Sequence, residues 1–532
     1  MRKETIYDAV TNLDSDLIAE AQKQRRPAVK WCAMAAAAAL VIGAGSIAVP
    51  KLLGGRQGTT ADGGGGGGDG GSTFMSYAGP VLPMTLGDEN DSITAERAIT
   101  LDFAPWVPVW ITNEEDAASR DWLTEEEQRH VIEELQKVYP EGGREECSTD
   151  ILVTDQYVLT NTSNEPQTVT VRYPYVTTFR AAEMPVLTID GAKAAAETIF
   201  GSDAGGFIGT QPEDNGDWNI QEPDSWEDYR NLLASGAYEM AALSPAPDLS
   251  GTPVVVYRFA NPTYTWSGEE PEHPEVVAMF DQDYDATSGL SYGFNAGSWD
   301  AEAGRTETGY SIGRPEWAEQ TRYLVVIGED IGSIQLRGGF PDTDETYEVD
   351  VDITREETDL ESALREILAV ELAQDDGGMA EVTAGEDTVY DAVARAFVLY
   401  GPLSENGAER YGNGMLQDFL SDVLVRQRVA YLQTEVTIPA NGSVTVAVQM
   451  AREGSYDFYG AGGQHGVYGY DMTTTLASNL RFTGQSATLL DHGQLEIVRQ
   501  NFGFDPENGV TTVALDLDVP HYYLEVRRAS ES

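Results

Sequence analysis

Gly309-Tyr310-Ser311-Ile312-Gly313 has the GxSxG spacing of a nucleophile elbow, where a strand delivers a serine to a sharp turn that opens a helix. The flanks do not supply that setting. "AEAGRTET" ahead of it is no apolar strand, and Gly313-Arg314-Pro315 behind it is a poor helix start, so the match reads as chance spacing in a chain with 54 glycines. His130, His273, His465, His492 and His521 are scattered, and no two stand at metal-ligand spacing on one helix. After residue 50 the lysines are Lys51, Lys137 and Lys193, none in a phosphate-binding GxxxxGK[ST] loop. No catalytic set and no cofactor site emerges, and the chain is expected not to be an enzyme.

"FDQDYDATSG" gives the candidate metal ligands. Asp281, Asp283 and Asp285 alternate, as carboxylates opening a calcium loop would. An EF-hand would need Gly at the sixth position and Glu at the twelfth, and these positions hold Ala286 and Tyr292. Calcium therefore remains only as a structural ion. Asp350 with Asp352 and Asp516 with Asp518 repeat the alternation, which also fits the wet face of half-buried strands. Tyr264, Trp266, Tyr456, Phe458, Tyr459, Tyr468 and Tyr470 are candidates for a stacking platform for sugars or, alternatively, for core packing.

The elements that would hold these residues begin with an apolar stretch. Trp31 to Val49 contains no charged residue, and as a helix it would reach about 28 Å, close to a hydrocarbon core of about 30 Å. Its length, and the roughly 30 residues before it, favour a retained anchor over a leader cleaved near Ala44-Gly45-Ser46. Lys23, Arg25, Arg26 and Lys30 precede it, while Lys51 and Arg56 follow, so the N-terminus is predicted to be cytoplasmic and the bulk extracytoplasmic. Residues 1–30 read as a cytoplasmic amphipathic helix with Ile6, Val10, Leu13 and Leu17 on one face, residues 31–50 as the transmembrane anchor and 51–75 as a Gly-rich tether.

Of 88 acidic and 33 basic residues, the first 56 positions hold 5 and 8, leaving 83 against 25 outside. A surface that acidic excludes nucleic acid and anionic lipid as natural partners. Cys32 and Cys147 fall on either side of the membrane boundary, so no disulfide framework is expected.

The outer part reads as mainly β, with sandwich-like modules over 76–350, a helical insertion over 351–428 and a C-terminal β-rich module over 429–532. Ile151 to Thr160 and Thr168 to Tyr173 flank the turn Asn161 to Glu165 as a hairpin would. Val444, Val446, Val448 and Met450 alternate with polar residues after the turn Pro439 to Gly442. Three helices are predicted from Leu360, Leu364, Ile367 and Leu368, then Val389, Val393 and Phe397, then Leu416, Phe419, Leu420, Val423 and Leu424.

The opening "YDAVTNLDSDLIAEA", followed by Arg25-Arg26, a Trp and an Ala-rich span, resembles the start of single-pass membrane proteins of Gram-positive bacteria with β-rich ectodomains, some labelled putative anti-sigma factors. The resemblance covers about 50 residues. It implies an extracellular ligand and a cytoplasmic regulatory partner, although the His/Cys zinc motif of many anti-sigma domains is absent. The expected function is a membrane-anchored extracytoplasmic binding or sensing protein, the alternatives being a carboxylate-dependent cell-surface glycan hydrolase and a structural envelope protein.

Overall fold

The computed structural model describes residues 79–120, 125–181, 184–203, 226–265, 274–300, 302–312, 319–339, 346–373, 382–399, 401–404, 415–457 and 466–529. The predicted anchor between Trp31 and Val49, the helix before it and the tether after it lie outside these residues. Among the described residues no helix is long and apolar enough to cross a membrane.

The chain is mainly β, as its alternating strands require, and its strands enclose two principal cores. In the first, a seven-stranded sheet runs in the order Thr512–Leu515, Arg481–Leu490, Ile93–Asp102, Ile151–Asn161, Ser443–Arg452, Val186–Ile189, Ala192–Lys193. Facing it is a second layer of two four-stranded sheets. One is Thr85–Leu86, Gln167–Thr177, Arg428–Ile438 and Glu197–Asp203, and the other is Tyr456–Asp457, Tyr468–Thr473, His521–Arg528 and Leu495–Gln500. A bridge between Val81, ahead of the strand Thr85–Leu86, and Met472 ties the segment leading into the first to the second. Inward residues of both layers, among them Ile99, Leu159, Val446, Val171, Ala430 and Leu524, form one apolar core.

The predicted hairpin is not one. Ile151–Asn161 pairs with Ile93–Asp102 and Ser443–Arg452 in the first sheet, whereas Gln167–Thr177 pairs with Arg428–Ile438 in the opposite layer. The turn between them carries the chain across the sandwich, and so does the turn from Ile438 to Ser443 beside it. Both corners are tied by Asn161, whose side-chain amide donates to the carbonyls of Glu165, Ile438 and Pro439. A hairpin and a corner share the same alternation, since each strand buries one face against the same core.

The second core belongs to an eight-stranded sheet that curls into a half-barrel. Its long central strands, Pro253–Thr265 and Thr346–Asp359, pair antiparallel and bend at an irregularity where Asn261 takes φ of 50°. Tyr257 and Phe259 point into the curl with Phe280, Phe294 and Tyr310. Val254 and Val256 point the other way, against three helices. Burial on both faces explains the unbroken apolar run "VVVY".

Those helices are Leu360–Leu372, Glu386–Leu399 and Leu416–Val425, and every apolar residue named for them from the sequence is buried. The preceding strand runs on to Asp359, so the helical stretch starts at Leu360 rather than 351. Asp359 ends the strand and caps the helix, its carboxylate accepting from the Ser362 amide at 2.9 Å.

A shorter pair of helices, Trp226–Ala234 and Ala237–Leu243, covers the outer face of the second layer against Val429, Tyr431 and Tyr523. Ala242 comes so close to the strand that a Cβ at Gly201 would lie 3.1 Å from its methyl and 2.5 Å from the Val429 carbonyl oxygen. Only glycine fits there.

Candidate functional site

The three aspartates proposed for calcium do not converge. Asp281 ends the strand Glu275–Asp281, and Asp283 and Asp285 stand exposed in the turn that follows, where Asp283 accepts the Asp285 amide at 3.0 Å. Among the described residues no group of three His, Cys, Asp or Glu side chains is placed to hold a metal. Asp350 and Asp352 lie on the wet face of their strand, whereas Asp516 and Asp518 sit in a turn after Leu515.

Ser311 closes the strand Arg305–Ser311 in mid-sheet, with no elbow before it, and its buried hydroxyl makes no hydrogen bond. His130 is exposed on a helix, and His492 meets Asp102 at 2.6 Å near the surface. His521 is buried, with Nε2 2.8 Å from the Asp471 carboxylate. His273, His465, Trp266, Phe458 and Tyr459 lie outside the described residues. Tyr264 packs on Tyr347 with ring centroids 5.1 Å apart, and Tyr470 belongs to the first core.

Two buried carboxylates that sequence reasoning passed over carry the chemistry of the first core, and they sit five positions apart. Asp155 receives Nε and Nη2 of Arg97 at 2.8 and 2.7 Å, the Tyr157 hydroxyl at 2.8 Å and the Tyr173 hydroxyl at 3.3 Å. Arg97 also donates to the Thr473 carbonyl at 2.6 Å, linking the layers. Burial works against its charge, but Asp155 and the two phenols outweigh it and raise its pKa above the usual range. Burial likewise pushes both phenols well up.

Asp150 stands just before the strand Ile151–Asn161 and is 7% exposed. Burial pushes its carboxyl up to about 7, with help from the Glu453 charge and against a hydrogen bond from Ser148. Beside it the Tyr470 hydroxyl donates to the Thr149 carbonyl. Tyr470 is packed edge-on to Phe103 at 5.1 Å and to Trp106 at 6.2 Å, and Tyr468 meets Trp106 at 5.8 Å. Arg528 lies 5.8 Å from the Trp106 ring and donates to the exposed thiol of Cys147.

An open groove of about 170 Å³ lies where the two cores adjoin. One wall is the strand Glu197–Asp203, which among the described residues pairs only with Arg428–Ile438, and the other is the helix Glu386–Leu399, with Glu197, Thr198, Thr388, Asp391 and Arg395 as its polar lining. Arg395 spends both terminal nitrogens on the carbonyls of Ala241 and Ser244, while its Nε has no hydrogen-bond partner. Burial lowers its pKa, and Asp391 opposes that shift. Chemically, the groove offers hydroxyls, two carboxylates and a strand edge, which suit recognition of an extended, positively charged segment.

The phase of the alternation was the one available signal for Arg97 and Asp155, each of which falls in register with apolar inward neighbours on its strand. No family model matches this chain, and no curated protein matches it.

Proposed function

We propose that this chain is a membrane-anchored extracytoplasmic protein that binds or senses a ligand without catalysing a reaction. The apolar stretch from Trp31 to Val49 serves as its anchor, the Gly-rich tether holds the β-rich sandwich-like part near the membrane, and residues 1–30 face a cytoplasmic partner. The observation that carries the binding role is the groove between the Glu197–Asp203 edge and the Glu386–Leu399 helix. Because one wall belongs to each core, an occupant biases how the two cores sit together, which is what a sensor requires. The carboxylates of Glu197 and Asp391, in a chain of net charge −55, favour a cationic occupant.

The test is thermal denaturation of the full-length chain in detergent with tetralysine, and with tetraglutamate as control. Tetralysine raises Tm in the parent protein, and the rise is lost in Glu197→Gln/Asp391→Asn. Equal shifts with both peptides, or none, would overturn the groove assignment. Orientation is tested by digesting intact cells with protease: loss of a C-terminal tag from a membrane-bound product of uncleaved mass supports the anchor, and a shortened product in the medium rejects it.

A further inference from the structure

The strand Glu197–Asp203 is engaged on three sides. Along one edge Glu197, Thr198, Ile199 and Phe200 stand opposite Gln433, Leu432, Tyr431 and Ala430. Consecutive side chains leave a strand on opposite faces, and here both faces pack: Ile199 against the cluster of Tyr238, Ala242 and Tyr431, and Phe200 against Phe179, with ring centroids 4.6 Å apart. The fourth side is the other edge, with which no strand pairs among the described residues. The groove opens along it, since the same four residues and Gly201 line its wall.

In an antiparallel ladder every second residue turns its N–H and C=O away from the partner strand. Residues 197–200 therefore offer donors and acceptors to the groove at the spacing that another extended main chain matches. On the facing wall Thr388, Asp391, Ala392 and Arg395 recur at helical spacing, so one stripe of the helix Glu386–Leu399 looks onto this edge. Arg395 spends its terminal nitrogens on the carbonyls of Ala241 and Ser244, whereas Glu197 and Asp391 are exposed carboxylates.

The usable edge is short. Beyond Phe200 the register shifts, Gly201 and Ser202 stand against Val429 alone, and the Gly201 carbonyl accepts Nη1 of Arg428 at 3.3 Å. The regular stretch before this bulge, residues 197–200, spans about 13 Å at about 3.3 Å per residue.

We propose that the occupant of the groove binds as an added β-strand: an extended peptide stretch of about four residues, carrying Lys or Arg, that pairs main chain to main chain with residues 197–200 while its cations meet Glu197 and Asp391. The proposal rests on the cationic groove described above. It adds that the ligand is a peptide, held through its N–H groups and selected by its charge, so a cation without a main chain is a poor substitute.

The test alters the ligand and leaves the protein whole. Tm of the full-length chain in detergent is read with tetralysine and with tetralysine methylated at every peptide nitrogen, which keeps the charge and removes the main-chain donors. The methylated peptide is expected to lose most of the Tm rise. Tetralysine at about ten times its Kd is expected to slow amide exchange over residues 197–200 by about tenfold, while exchange over the strand Ile151–Asn161 stays constant. Equal rises with the two peptides, each lost in Glu197→Gln/Asp391→Asn, or unchanged exchange over 197–200 with tetralysine bound, would overturn strand addition and leave a groove that reads charge alone. No rise with either peptide would overturn the groove assignment itself, and strand addition with it.

Discussion

Asp155 and Asp150 lie at the two ends of one argument about buried charge. Both are withdrawn from water, but Asp155 has a guanidinium and two phenols around it, whereas Asp150 has the charge of Glu453 acting on it. The charge of the first is matched by hydrogen-bonded partners, whereas burial pushes the carboxyl of the second up to about 7. A β-rich interior thus holds a buried ion pair that joins its layers and, five residues earlier in the chain, a carboxyl whose pKa burial has raised.

Breaking the matched pair has the largest expected effect. Arg97→Met leaves Asp155 buried without its cation and is expected to lower stability by about 3–5 kcal/mol, measured by urea denaturation at pH 7. Arg97→Met combined with Asp155→Leu is expected to recover most of that loss, because the residual cost lies in the orphaned charge rather than in the missing attraction. A double variant as unstable as the single one would show that the pair itself supplies the stability.

Relieving the unmatched group should act in the opposite direction. The folded-state pKa of Asp150 is raised to about 7 while an unfolded aspartate titrates near 4, so its contribution is fully present below pH 4 and is lost as pH rises toward 7. Asp150→Asn removes that penalty. The variant is expected to be more stable than the parent by about 2–3 kcal/mol at pH 8, after discounting for partial solvation, and no more stable at pH 3.5. Denaturation midpoints at the two pH values check this.

How much of this contrast the sequence made legible depends on the distance over which each signal acts. The helical triplets at Leu360, Val389 and Leu416 are local patterns, and all are buried. Arg97 and Asp155 were legible in principle, since Ile93, Ala95, Ile99 and Leu101 surround the one, and Ile151, Val153, Tyr157 and Leu159 the other, with the same inward phase. Asp150 was not. The charge that acts on it, Glu453, comes just after the strand Ser443–Arg452, far along the chain, and only the pairing of that strand with Ile151–Asn161 brings the two near each other. The corner at Asn161 was misread for the same reason: local alternation fixes which face is buried but not which strand lies alongside. The groove depends on packing between two cores, which no window of sequence contains.

That corner offers a third, smaller perturbation. Asn161 is fully buried and its side chain satisfies carbonyls from both crossings between the layers. Asn161→Ala orphans them and is expected to cost about 1–3 kcal/mol without changing the pH dependence of unfolding. Comparison with Asp150→Asn separates a corner held by neutral hydrogen bonds, whose loss acts alike at every pH, from a buried carboxyl whose cost grows as pH rises.

Glu453→Gln has the smallest effect and discriminates most finely. Of the two causes that raise the Asp150 pKa, burial is the larger and the Glu453 charge the smaller. Replacing Glu453 with its neutral isostere removes the second and keeps the first, so the carboxyl should titrate lower than in the parent yet still above an ordinary aspartate. The gain at pH 8 should then be about 1 kcal/mol, less than that of Asp150→Asn. Carboxyl titration by NMR with selectively labelled aspartate reads the midpoint directly. A midpoint restored to the ordinary range would make the Glu453 charge the dominant cause, and an unmoved one would leave burial alone; the intermediate result is the one expected with burial as the larger cause and the Glu453 charge as the smaller.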